Sequence, residues 1–396
     1  MLNQRERRAV LQYIHYSCKF APFPAEVNLE SWSLGELAGL KRGMSFLFYA
    51  NALLHTIFKL ASLVYVLGLK QDVPLYQVIL HVGLVVGYTH TCFCVYTAYI
   101  KNFHVHKTLV QTILKPMHSN GKSRGSNGRK TYRLLEYTPQ DAIVLFMPPT
   151  VAAILSGFVM YCWLDSSGMY LYYNLLPDTY KITVFLLICL GQEFHCLMYS
   201  IAVIVPILQL QVIAFDDICY RLGLVFQTLT KSSSNTIGQE GQTTEVHVMT
   251  LRNLQIYMLL MNSLHCYLIF TYKLFSIIYC VGMGYAAVAY FHDNIALAII
   301  CCLSCADIGT IYSLVYQKGF QVQSAFAQVV QAMMYKLTGN RGNGQGSGNA
   351  VIKRQLKSVP SVGIKVGNFH TLERTSTPIF LDFVGRNIVS MLVVYH

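Results

Sequence analysis

Charge is what this 396-residue chain has least of: Asp, Glu, Lys and Arg together make up 12% of it. A soluble domain of ordinary composition carries about 25%, so a water-soluble fold would leave too much of its surface apolar. Tryptophan occurs twice, no Asn-x-Ser/Thr glycosylation site is present, and no His-Glu-x-x-His zinc pattern appears. With 54% hydrophobic residues and a mean hydropathy of +0.42, disorder, collagen-like repeats and a small disulfide scaffold are excluded as well. The length would allow two or three soluble domains, but the apolar residues fall in long blocks, which reads as one polytopic membrane domain. Residues 1–10 carry Arg5, Arg7 and Arg8 with no apolar stretch behind them, so no cleaved leader is expected.

A helix needs about 20 mainly apolar residues to cross the hydrocarbon. Seven blocks qualify, at 43–69, 73–100, 141–164, 182–210, 258–291, 294–316 and 378–395. The fourth and fifth exceed one crossing and are expected to tilt or project into water. The fold class is therefore all-α with seven transmembrane helices. Lys and Arg number six before the first span, eight in 101–140, three in 211–257 and eight in 317–377; the alternate loops hold Lys70, Lys181 and none. The positive-inside rule places the N-terminus in the cytoplasm and the C-terminus outside. In this setting the net charge of +12 is a basic cytoplasmic face, not a nucleic-acid surface. Four stretches follow: a cytoplasmic segment 1–42, a six-span bundle 43–316 with cytoplasmic extensions near 211–257, a cytoplasmic helix and linker at 317–377, and a last helix at 378–396.

Two water-facing segments are amphipathic. Phe215, Ile218, Cys219, Leu222, Val225 and Leu229 form one helical stripe, and Val322, Phe326, Val329, Val330, Met333 and Leu337 form another. Neither has the basic flank of a lipid-surface helix, so a cytoplasmic bundle is favoured, with Phe326, Val330 and Met333 expected between subunits. Gly339 to Asn349 is a glycine-rich linker.

Chemical motifs are weak. Gly121-Lys122-Ser123 resembles the end of a phosphate loop, but the first glycine is replaced by Pro116 and no strand precedes it; a solvated basic loop explains it. His104 and His106, two residues apart, cannot share a helix face, and Glu193, His195 and Cys196 lack a second cluster. No catalytic site, metal site or cofactor is assigned, and nothing reads as an enzyme. Intramembrane charges are more informative, because they usually face a bundle interior or an aqueous cavity. Glu193 lies about 16 Å from the outer end of its span at 1.5 Å per residue, Asp307 is near mid-span, and Lys59 and Lys273 are similarly deep. Structural pairing, such as Glu193 with Lys273, competes with a role in ligand polarity or an ion path. Asp382 and Arg386 are spaced for an intrahelical pair.

Seven spans, a cytoplasmic N-terminus and a short final helix, with Gly367-Asn368-Phe369-His370-Thr371-Leu372 leading through Thr377-Pro378 into it, resemble the insect gustatory and odorant receptor superfamily. The hexapeptide is similar to the Gly-x-Phe-x-x-Leu stretch before the last helix of those receptors. Gustatory members finish with Thr-Tyr, five apolar residues and Gln-Phe; here the best register is Asn387-Ile388, Val389 to Val393 and Val394-Tyr395. A polar first and an aromatic last position survive, as in a divergent gustatory-type member. The resemblance implies a ligand-gated cation channel in the plasma membrane, assembled as a homo- or hetero-tetramer with related subunits and opened by a small tastant or odorant. It implies a pocket in the outer halves of the spans, for which Tyr76, Tyr161, Trp163, Phe185 and Cys302 are the candidates; each could equally be a packing or interface residue. It also puts Asn387, Met391 and Val394, one stripe of the last helix, toward a central pore, unless that face packs on lipid or span five. A G-protein-coupled receptor or a secondary transporter is the alternative, although Asp/Glu-Arg-Tyr and Asn-Pro-x-x-Tyr are absent and no internal repeat is evident.

The topology is directly testable. An epitope tag after His396 should stain on intact cells and one before Met1 should stain only after permeabilisation; the reverse pattern would revive the G-protein-coupled alternative.

Overall fold

Hydrocarbon offers no hydrogen bonds, so a chain this apolar must satisfy its backbone within each segment, and helices do so. A computed structural model of the chain describes residues 10–17, 25–28, 33–69, 73–114, 139–164, 171–231, 240–339, 346–358, 362–373 and 376–395. A first helix, α1 (10–17), and a hairpin of β1 (Ala25–Asn28) and β2 (Ser33–Glu36) precede α2 (Gly39–Leu69). Then come α3 (Leu75–Cys94), α4 (Phe103–Leu114), α5 (Pro139–Leu164), α6 (Thr183–Lys231), α7 (Glu240–Ala289), α8 (Ile295–Gln317), α9 (Gly319–Gly339), α10 (Gly346–Lys357), a second hairpin of β3 (Lys365–Val366) and β4 (His370–Thr371), and α11 (Ser376–Tyr395). Seven of these helical stretches are long and apolar enough to cross a membrane, in the seven regions the hydropathy marks out.

The helices are longer than their apolar blocks. The fourth span and the stripe at 215–229 are one 49-residue helix, α6, and the fifth span continues the 50-residue α7. Phe215, Ile218, Leu222, Val225 and Leu229 are buried, as are Val322, Phe326, Val329 and Met333 on α9. The two stripes face each other: α6 packs on α9. Phe326 and Met333 are thus covered inside the chain, which corrects their expected place between subunits; Val330 is half-buried. Gly319 opens α9 where a Cβ would meet Leu372 at 3.1 Å and Phe215 at 3.4 Å.

The hexapeptide that carries the resemblance has a clear mechanical role. Gly367 takes φ +59°, the left-handed conformation glycine tolerates without penalty, and turns β3 back into β4. Its N–H donates to the Cys266 carbonyl at 2.8 Å, and Asn262 clamps the same strand, donating to Gly363 O and accepting from Lys365 N, each at 2.9 Å. Phe369 lies on Phe270 with centroids 5.2 Å apart, and Leu372 is buried beside Gly319. The hairpin is thereby pinned to α7 immediately before α11 begins.

α11 is the least covered of the seven. Only 11% of its most apolar window is buried, against 83% for α6. Its inner face consists of Phe380, stacked on Tyr312 at 4.2 Å, then Val384, then Ile388 at Gly284 of α7, then Tyr395 against Tyr285. A β-carbon at Gly284 would overlap the Ile388 side chain. Asp382 and Arg386 pair along the helix at 2.9 Å, as their spacing requires. His104 and His106 point to opposite faces of α4, with His104 exposed and His106 buried against Tyr99. Burial lowers the His106 pKa to about 4. Because the folded value lies below the ordinary 6.5, this group favours the folded state fully above 6.5 and loses that contribution as pH falls toward 4.

Truncating the in-chain seam gives a stability prediction. Phe326→Ala should cost about 3–5 kcal/mol and lower the thermal midpoint of the detergent-extracted chain, and Val330→Ala should do much less. Equal effects of the two would argue against the α6–α9 packing.

Candidate ligand cavity

Polar groups inside the seven-helix bundle are concentrated between α2, α3 and α6. Glu193 Oε2 lies 2.7 Å from Lys59 Nζ and 3.5 Å from His55 Nε2, and its Oε1 accepts from the Tyr88 hydroxyl at 2.7 Å. His81 Nε2 is 2.9 Å from the Lys59 carbonyl, and all five side chains are buried. One turn on, Gln192 donates to Asn51 at 3.0 Å. The expectation that Glu193 pairs with Lys273 is corrected: the partner is Lys59, from the first long helix, and Lys273 Nζ instead lies 3.3 Å from His370 Nε2. Removing one partner of such a pair leaves a charge with neither water nor counter-ion, at about 3–5 kcal/mol, whereas replacing both by apolar groups is often neutral.

Beside this knot, α3, α5, α6, α7 and α8 surround a cavity of about 130 Å³. Its wall is largely apolar and rich in rings: Tyr88, Phe158, Tyr272, Phe275 and Tyr279. Leu84, Leu155, Leu197, Ile201, Ile204 and Ile308 fill the spaces between them. A cavity near 150 Å³ lined by apolar side chains accepts a benzene-sized guest, so this space matches a single-ring molecule. Two features shape it. Pro148 and Pro149 fall inside α5, where each removes a helical N–H and bends the helix, beside the wall residues Met147 and Val151. Gly83 on α3 admits Met283 and Tyr279 of α7, which a Cβ would meet at 3.1 and 3.4 Å.

Polar atoms at the cavity are few. Ser200 donates to the Cys196 carbonyl, and Tyr88 is committed to Glu193. Asp307 lines the wall, half-buried, while the Tyr272 hydroxyl is enclosed by protein beside Ser276.

None of the five pocket candidates read from the sequence lines this cavity. Tyr161 is buried in the adjoining core cluster, Tyr76 packs edge-on to Tyr290 at 5.2 Å, and Phe185 packs on Tyr180 at 5.9 Å. Trp163 and Cys302 are exposed. Of the four intramembrane charges, Asp307 reaches the cavity, while Lys59 and Glu193 stand behind Tyr88. The candidates lie nearer the span ends than this cavity, whose rings Tyr88, Phe158, Tyr272, Phe275 and Tyr279 were not among them. The spacing of the last three, 272, 275 and 279, is the one signal that could have found them, since it puts three rings on one face of α7.

A second space, a crevice, lies between α3, α7 and α11, with Asn387 and Met391 on its α11 side. Gly83, Tyr279 and Met283 border both spaces. Val394 is exposed, as are Arg386, Val389 and Val393 on the face of α11 turned away from the rest of the chain. No group of three or more metal-ligating side chains occurs among the described residues.

No protein-family model matches the chain, and no curated protein does. Two solved structures share its fold over nearly the whole length. One is the insect olfactory receptor OR5 from Machilis hrabei, with 13% sequence identity, a TM-score of 0.62, and 98% of this chain and 97% of that chain covered. The other is the same receptor in complex with eugenol, with 12% identity, a TM-score of 0.66, and 98% of each chain covered. The resemblance carried by a hexapeptide and a span count thus extends to the arrangement of all seven helices.

The ion pair makes the sharpest local test. Glu193→Gln or Lys59→Met alone should lower the thermal midpoint strongly, at about 3–5 kcal/mol, and Lys59→Met with Glu193→Leu should recover most of the loss. Additive losses in the double variant would mean that the two groups do not act as a pair.

Proposed function

We propose that this chain is a gustatory-type member of the insect chemoreceptor superfamily, and that it works in the plasma membrane as a small-molecule-gated cation channel. The observation that carries the proposal is the ring-lined cavity inside a seven-helix fold of this type. Its size suits a compact, mostly apolar ligand, and a eugenol complex is known for a protein of the same fold. The gustatory assignment rests on the terminal register from Asn387 to Tyr395.

We further propose a tetramer, alone or with related subunits, in which α11 surrounds the ion path. The support is exposure: α11 is almost uncovered in one chain, and Val246, Met249, Ile256 and Leu260 leave an apolar stripe bare on the first half of α7. Apolar rings on a pore helix gate by dewetting. Met391 and Val394 would supply such rings, with Asn387 the wetter position and Arg386 turned aside by Asp382. Opening would pass from the cavity to the crevice through Tyr279 and Met283, which touch both.

The test is electrical. Cells expressing the full chain should give a cation current to single-ring odorants or tastants, and Ile204→Trp, which fills the cavity, should raise the half-activating concentration at least about tenfold. Cysteines at 387, 391 and 394 should be blocked by a water-soluble thiol reagent during the evoked current. Block confined to 389 and 393 would put the opposite face of α11 on the axis. Currents unaltered by Ile204→Trp would move the ligand site elsewhere.

A further inference from the structure

Asp307 sits near the middle of α8, where lipid can neither hydrate nor neutralise a carboxylate. Among the described residues no Lys, Arg or His lies within ion-pair distance of it. The two other deep charges that could have served are engaged, Lys59 with Glu193 and Lys273 beside His370. Its neighbour is the Thr150 hydroxyl, which donates to the Met147 carbonyl at 3.1 Å and brings no charge. The carboxyl lines the cavity together with the rings of Tyr272, Phe275 and Tyr279. A carboxylate beside aromatic faces is the chemistry that recognises an ammonium group: the charge pairs with the acid and the rings attract the cation through their quadrupoles.

We infer that the cavity selects protonated amines: a ligand with one ring, or an apolar body of that size, carrying an ammonium group that pairs with Asp307 against the Tyr272–Tyr279 face of α7. This rests on the cavity being the ligand site. It adds a chemical class to that reading, because an apolar cavity alone would favour neutral molecules. The ring would occupy the space between Phe158 and Leu197.

The experiment compares three molecules of nearly one shape on the purified full chain in lipid nanodiscs at pH 7. The molecules are 2-phenylethylamine, 2-phenylethanol and ethylbenzene, with binding read from the rise in thermal midpoint against concentration. The amine should bind about tenfold tighter than the alcohol. Asp307→Asn should abolish that advantage, its folding checked by size-exclusion profile. Wild-type binding of the alcohol and ethylbenzene with no preference for the amine would overturn the inference while leaving the cavity as the ligand site, and this comparison stands even where the variant does not fold. An amine advantage that survives in a folded Asp307→Asn variant would also overturn it. Failure of all three to bind the wild type, together with currents indifferent to Ile204→Trp, would remove the cavity reading itself.

Discussion

A polar group inside hydrocarbon must be answered by protein, and nearly every choice in this fold follows from that constraint. Backbone amides are answered within the helices. Thr56, Thr89, Thr91, Ser200 and Thr271 return their hydroxyls to carbonyls one turn back. Glu193, the costliest of these groups, is answered three times over, by Lys59, His55 and Tyr88. The pair joins α6 to α2, two helices that otherwise meet sparsely, and Tyr88 adds α3. What buried charge contributes here is less net stability than register: a slip of one residue along α2 would turn Lys59 away from the carboxylate. Against that background Asp307 stands out: it is a carboxyl on the cavity wall with a hydroxyl beside it and, among the described residues, no cation to pair with.

The helices divide the work along their lengths. Near the start of α11 the chain is held by the backbone contacts of the β3–β4 hairpin, by the Asn262 clamp and by the apolar α6–α9 seam. Higher up, α7 and α8 pack by small side chains, with Cys280 and Cys305 each turned to the other's carbonyl as compact hydrophobes with a weak donor. The last helix follows directly from that hairpin and packs on α7 beside the wall of the cavity.

Much of this was legible in the sequence, for identifiable reasons. Span positions came from apolar length, a property the bilayer itself imposes. The amphipathic stripes of α6 and α9 were visible because one side meets water, and so was the Asp382–Arg386 pair, which is local. What was not legible depends on which way a helix faces when every side is apolar. α5 and α8 carry apolar residues all round, so periodicity could not show that Phe158 and Asp307 look inward while Trp163 and Cys302 look outward. The partner of Glu193 required knowing that α2, and not α7, lies beside α6. The hexapeptide was noticed as a motif, but its purpose, a left-handed glycine with a buried leucine gripping α7, became clear only from the hairpin.

The arrangement of the two spaces places a limit on how a ligand can act at a distance. Cavity and crevice are separated by a wall one side chain thick, made by Tyr279 and Met283 of α7 with Gly83 of α3 opposite. At Gly83 the helices are in van der Waals contact, so the wall has no slack on the α3 side. Tyr279 is therefore the side chain that faces the cavity on one side and, on the other, the crevice where Asn387 and Met391 stand. α11 is held in place near there chiefly by Ile388 in the Gly284 notch, five residues along α7 from Tyr279. The same stretch of one helix thus forms the cavity's wall and the seat of the last helix. No long relay is needed, because the element that senses the cavity is the element on which α11 rests.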